Sequence, residues 1–397
     1  MTNRLPKISL LSSVVAAGLL AACGGGGGGG DGGGTGTLNV SMTDAPACGF
    51  EEVNVTVNMV RVHQSGDASE DTSGWIDIPV TPTKINLLDL TNGVMTNLGQ
   101  ATLPVGRYTQ LRLVLDRNTG GTLANSVVPT GGSEIALTTP SAATSGIKLN
   151  GNIVVTEDNT TDITLDFDAC KSIVKRGNGA YNLKPVIRII PMATAGTISG
   201  YIDPAAAAAA NNPVVSAQVN GEIIRSTVPN ADGSFSLYPI SAGNYDVVVT
   251  SNAYASDVIT TVPVTASTTT ALGTLAAPLA LMTPSTSGTV SGTVSVNGTV
   301  SLADAAPLVT ATQTFASGKK VAIRYQNVDV STGAYSLALP IEAPRIAQFG
   351  AGTPVADTSA TGIYGMEVTA TGYQPQSSSA TISAGSPAAN TNFTLVP

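Results

Sequence analysis

The chain has 397 residues, 42% apolar and only 11% charged, with 26 acidic against 18 basic side chains and a formal charge of −8. A pI near 4.6 argues against nucleic acid and anionic lipid headgroups as partners. Small and β-branched residues abound and few segments keep a helical period, which excludes long helices and disorder and points to β-sandwiches.

Arg4 and Lys7 precede an uncharged, mostly apolar run over residues 8–22. A spanning helix needs about 20 apolar residues, so residues 1–22 read as a cleavable secretory signal. Leu20-Ala-Ala-Cys23 resembles the bacterial lipobox. The resemblance implies that Cys23 becomes the acylated N-terminus with three chains, and two or more chains hold a protein stably on a bilayer. Gly24 in place of Asp points, by the same resemblance, to the outer membrane. Residues 23–37 then form a glycine-rich tether, a random coil of roughly 20 Å reach. A phosphate-binding loop is excluded, because no strand precedes these glycines and no Gly-Lys-Ser/Thr follows.

Cleavage leaves 375 residues, enough for two or three domains, with 16 basic against 26 acidic side chains and a formal charge of −10. Cys48 and Cys170 remain as an even pair in an oxidising compartment, and a disulfide between them is expected. Two free buried thiols, or a metal pair, are the alternatives; with one histidine in the chain the metal pair is weak. The bridge would close a loop of about 120 residues, worth roughly 4–5 kcal/mol in chain-entropy terms.

A first domain is predicted over residues 38–191. Leu38-Asn-Val-Ser-Met opens it as a strand, and Thr43-Asp-Ala-Pro46 reads as a turn. Val53, Val55 and Val57 alternate with Asn54, Thr56 and Asn58, and the phase slips near Met59–Val60, which predicts a β-bulge. A polar, acidic loop covers Gln64 to Gly74, and Asn92-Gly93 marks a hairpin. In the strand from Gly106 to Asp116, Thr109, Leu111, Leu113 and Leu115 share one face; Tyr108, Gln110 and Arg112 share the other. Further on, Ile163, Leu165 and Phe167 point one way, and Asp162, Asp166 and Asp168 the other.

Five phrases resemble one family of bacterial lipoprotein domains: Asn39-Val-Ser-Met-Thr-Asp-Ala-Pro46, Trp75-Ile-Asp-Ile78, Asn86-Leu-Leu-Asp-Leu-Thr-Asn-Gly93, Leu103-Pro-Val-Gly-Arg-Tyr-Thr-Gln-Leu-Arg-Leu-Val-Leu-Asp116 and Asp166-Phe-Asp-Ala-Cys170. That family is catalogued as domain of unknown function 4382. The resemblance implies an envelope location and a β-rich fold, and it carries no reaction.

A second domain is predicted over residues 196–279 and a third over 287–397, with a linker near Pro278–Ser287. Gly196-Thr-Ile-Ser-Gly200, Asp232-Gly-Ser-Phe235 and Gly243-Asn-Tyr245 resemble carboxypeptidase regulatory-like domains, small accessory β-sandwiches of transthyretin-like shape. The third domain repeats this grammar in Gly288-Thr-Val-Ser-Gly292, Ser331-Thr-Gly-Ala-Tyr335 and Tyr364 to Tyr373, with a longer loop near residues 340–360. The expected architecture is all-β: three tandem antiparallel β-sandwiches behind a lipidated tether.

Chemistry is sparse. A Ser-His-Asp set needs a base; His63 is the only histidine and reads as a surface side chain at a strand end. Asp162, Asp166 and Asp168 could meet a cation or ligand, and a solvated face is the bland alternative. Trp75, the sole tryptophan, and Tyr108 are the candidate sugar-stacking rings, with a core role as the alternative. No catalytic, cofactor or metal site is assigned. The expected role is a non-catalytic envelope lipoprotein, structural, adhesive or binding, whose partners are the bilayer and an extracytoplasmic protein or glycan. A glycan- or peptide-binding accessory module is the runner-up, ahead of a hydrolase.

Overall fold

The computed structural model describes residues 33–44, 49–176, 179–279, 283–298 and 300–397. Cys23, Cys48, the signal, most of the tether and the centre of the expected linker lie outside them. The expected all-β fold is the fold observed.

Strand formation follows the alternation of the sequence. In Thr35–Asp44, Leu38, Val40 and Met42 are fully buried while Asn39 and Ser41 are partly open. In Phe50–His63, Val53, Val55 and Val57 enter the same core. The bulge lies at Asn58, between Val57 and Met59, slightly ahead of the expected place. Thr35, Gly36 and Thr37, assigned to the tether on composition, belong to the opening strand.

One pattern is built three times. The opening strands Thr35–Asp44, Ala195–Tyr201 and Ser287–Val296 each lie between an antiparallel and a parallel neighbour. The antiparallel partners are Thr96–Pro104, Ser234–Ser241 and Ala334–Pro340; the parallel ones are Thr160–Phe167, Thr269–Leu272 and Ala388–Asn390. The facing sheets pair Phe50–His63 with Gly106–Leu115, Val214–Val219 with Gly243–Thr250, and Leu308–Thr314 with Ile363–Thr369. Each pair of sheets encloses an apolar cluster, and that of the third module also takes in Val248 and Val258 from the second. These three modules pack together as one unit, Gly34–Pro397.

Two side-chain devices recur at equivalent places. Tyr108, Tyr245 and Tyr364 each follow a glycine by two residues, sink into the core and donate to a backbone carbonyl: Pro104 at 2.9 Å, Ser241 at 2.7 Å and Pro340 at 2.5 Å. Tyr108 was expected on the face opposite the leucines. A bulge between Tyr108 and Gln110 reverses the parity and brings it into the leucine core.

The second device is a glycine in each opening strand. A Cβ on Gly36, Gly196 or Gly288 would lie 2.2, 2.3 or 2.7 Å from the carbonyl oxygen of Thr156, Thr265 or Pro387. The next residue's N–H in turn donates to the turn backbone: Thr37 to Asn159, Thr197 to Thr268, Thr289 to Pro387. Glycine alone permits that approach.

Gly196→Ala should therefore lower stability by about 1–3 kcal/mol. Gly385→Ala, where a Cβ meets nothing within 4 Å, should change it by less than about 1 kcal/mol. Thermal unfolding of the two variants checks the contrast.

Candidate functional site

The aspartates of the strand Thr160–Phe167 have three different fates. Asp162 is exposed and accepts from Asn39 Nδ2 at 2.8 Å across the parallel pair. Asp168 lies past the strand end, where it caps the one-turn helix Ala169–Ser172 and pairs with Lys171 at 2.8 Å. Asp166 is only 6% exposed, because the edge strand Glu222–Thr227 of the second module lies across it. Asp166 thus lies in an interface while Asp162 stays on the solvated face, and among the described residues the three carboxylates form no common cation cluster.

Arg225, 2% exposed, closes that interface. Its Nη1 pairs with Asp166 Oδ1, and its Nη2 donates to Thr43 Oγ1 at 2.9 Å and to the Tyr238 carbonyl at 3.0 Å. Burial pushes the Asp166 carboxyl up to about 6, against the pull of Arg225. Arg188 reinforces the seam, donating to the carbonyls of Ile223 and Ile224 and to Glu222. Asn92, at the hairpin read from the sequence, accepts from Ser236 N at 2.6 Å.

The third module is fastened to both others. Asn327 Nδ2 donates to the carbonyls of Cys170 and Ile173, and Lys184 Nζ to Ala305 O and Thr371 Oγ1. The Lys171 ammonium stands 5.2 Å from the centre of the Tyr325 ring. Gln218 exchanges two hydrogen bonds with the backbone of Ala322, at 2.8 and 2.7 Å. The segment expected as a long loop near 340–360 contains strands. Arg345–Gln348 adds in parallel to Asp257–Val264, so a hairpin of the third module completes a sheet of the second.

A cavity of about 300 Å³ marks the meeting of all three modules, with Lys171, Glu222, Lys320, Tyr325 and Glu367 among its walls. Its charges are spoken for: Lys320 pairs with Glu367 at 2.8 Å, Lys171 with Asp168 and Glu222 with Arg188. This arrangement holds surfaces together rather than presenting a reactive group.

Trp75 is half-buried. The Arg61 and Arg112 guanidinium carbons sit 5.2 and 5.0 Å from its ring centre, His63 lies against it, and its indole N–H donates to Ser69 O at 2.8 Å. His63 is 8% exposed rather than on the surface. Its Nδ1 accepts from Ser65 N at 2.8 Å, which leaves Nε2–H to donate to Ser73 O at 3.0 Å. Gln110 and Arg112 donate to Ser65, Gly66 and Ala68 carbonyls beneath the same loop. Trp75 and His63 therefore pin the acidic loop, and Asp67, Glu70 and Asp71 stay exposed on it. Among the described residues no group of three or more His, Cys, Asp or Glu stands close enough to hold a metal. Cys170 is buried beside Asp44, whose Oδ1 accepts from Ala169 N at 3.0 Å.

Residues 35–185 match the family model described as "Domain of unknown function (DUF4382)", less than half of the chain. No curated protein matches. Among solved structures, a type II cohesin–X-dockerin complex from Acetivibrio cellulolyticus is similar at 28% identity over 21% of this chain and 56% of that one, TM-score 0.19. The Bacillus anthracis TIE protein is similar at 12% identity over 92% of this chain and 51% of that one, TM-score 0.17. The major pilin SpaA of Corynebacterium diphtheriae is similar at 10% identity over 91% of this chain and 100% of that one, TM-score 0.21. The chain thus spans only about half the length of the first two.

Asp166→Ala leaves Arg225 buried and unpaired, and should destabilise the body by about 3–5 kcal/mol; Asp166→Leu with Arg225→Met should recover most of the loss. Chemical unfolding of the two variants measures this. Between the unfolded value of 3.8 and about 6 the folded Asp166 binds more protons than the unfolded one. Stability from this group therefore falls as pH rises through that window. Asp166→Asn should show a smaller loss of Tm from pH 4 to 7 than the wild type.

Proposed function

We propose that the chain is a lipid-anchored envelope protein whose three-module body has a structural, adhesive or binding role without catalysis. One observation carries this reading. The side chains that looked able to do chemistry are engaged in structure: Asp166 with Arg225, Asp168 with Lys171, His63 and Trp75 with their loop. A perturbed carboxyl is a functional-site signal only when it faces a cleft, and Asp166 faces a guanidinium.

Anchoring rests on residues 1–23. A signal over 1–22, lipid on Cys23 and the outer-membrane preference implied by Gly24 complete the reading. The first described strand begins 12 residues after Cys23, so the body would ride close to the bilayer. The family match over residues 35–185 supports membership of the first module in the DUF4382 family. The matching openings Gly196–Gly200 and Gly288–Gly292, each at the start of a like-built strand, support regulatory-like β-sandwiches in the second and third modules.

We also propose a Cys48–Cys170 disulfide. Gly49, the neighbour of Cys48, lines the same cavity of about 270 Å³ as Cys170. Asp44, four residues before Cys48, bonds to the residue before Cys170.

Cys23→Ser should move the protein from the detergent to the aqueous phase in a partitioning assay; retention in detergent overturns the anchor. Intact-mass analysis of the unreduced mature chain after alkylation should find no modified thiol, and two modified thiols would remove the bridge. Turnover of a glycoside or peptide by the purified chain, lost in Asp166→Asn, would overturn the non-catalytic reading.

A further inference from the structure

Strand Asp257–Val264 sends Ile259, Val262 and Val264 into the core of the second module. Asp257 occupies the first position on that same face, opposite Val249. An apolar residue is what the period calls for there. The carboxylate is 4% exposed, and its Oδ1 accepts no hydrogen bond. Arg345 Nε is 3.7 Å from that oxygen, beyond bonding distance, and the guanidinium donates instead to Pro354 O. Burial pushes the Asp257 carboxyl up to about 7, against the pull of Arg345.

A cavity of about 250 Å³ opens beside this group at the end of the sandwich. Val249, Ile259, Pro278 and Leu279 line it from the second module, and Thr353 and Pro354 from the hairpin that the third module contributes. An apolar pocket with one convergent polar group is the usual make-up of a small-molecule site.

We propose that this cavity binds a compact, largely apolar molecule that donates one neutral hydroxyl to Asp257. The volume limits the ligand to about the size of a single substituted ring. The apolar walls select its body. The unbonded acceptor selects a donor, because a ligand without one leaves the buried oxygen unsatisfied. Neutrality follows from Arg345, which already balances the carboxylate and would repel a second cation.

Ligand-observed NMR titration of the full mature chain tests this with benzyl alcohol and toluene as probes. Benzyl alcohol should bind saturably, and toluene at least tenfold more weakly. Asp257→Ala should erase the difference between them. Thr353 is exposed at the rim, so Thr353→Trp should block the mouth, leave the fold intact and cut benzyl alcohol binding at least tenfold. Absence of saturable binding, equal binding of the two probes to the wild type, or unchanged binding by Thr353→Trp each overturns the proposal.

Discussion

The body is organised around a buried ion pair across a module boundary. Taking a carboxylate and a guanidinium out of water costs several kcal/mol for each, and their attraction returns that only in good geometry. Arg225 goes most of the way through Nη2, which donates to Thr43 and Tyr238, while its Nε–H stays buried without a partner. The pair therefore selects an orientation more than it adds stability. A docking that covered one of these charges without bringing the other to it would leave a charge unpaired inside protein. The same rule explains the dense polar seam around it, where Arg188 and Asn92 satisfy backbone groups that the interface has cut off from solvent.

Around that seam, one module plan appears in three degrees of elaboration. The second and third modules stay close to a minimal pair of sheets, while the first extends its second sheet to nine strands. The elements held constant are those with least freedom: the glycine under a crossing backbone, and the buried tyrosine with its hydroxyl on a carbonyl. Variation accumulates in the loops and edges, where the backbone can still meet water.

Much of this was legible in the residues. Val53, Val55 and Val57, or Ile163, Leu165 and Phe167, show their buried face by alternation alone. The likeness of Gly196–Gly200 to Gly288–Gly292 exposes the repeat. Kinship of the first module was hidden because Gly36-Thr37 sits at the tail of a glycine run and looks like tether. Tyr108 was misplaced because the bulge at Thr109 follows a single inward ring, too short a run to show the phase slip that marks the bulge near Met59. The fate of Asp166 was out of reach for a different reason. Periodicity separates two faces of a strand but does not say what covers the second, and Arg225 lies 59 residues further along. Asp257 broke the alternation openly, yet its meaning depended on a hairpin nearly 90 residues away.

That borrowed hairpin has a consequence for biogenesis. A polypeptide emerging N-terminus first from the ribosome would expose strand Asp257–Val264 before Arg345–Gln348 appears. Until then the second module has an unfinished rim of open N–H and C=O groups, the kind of surface that recruits foreign strands. Completion is thus a late event in the folding of the chain. A chain cut short before Arg345 would lose more than a terminal domain, because it would leave an adhesive border on the one before.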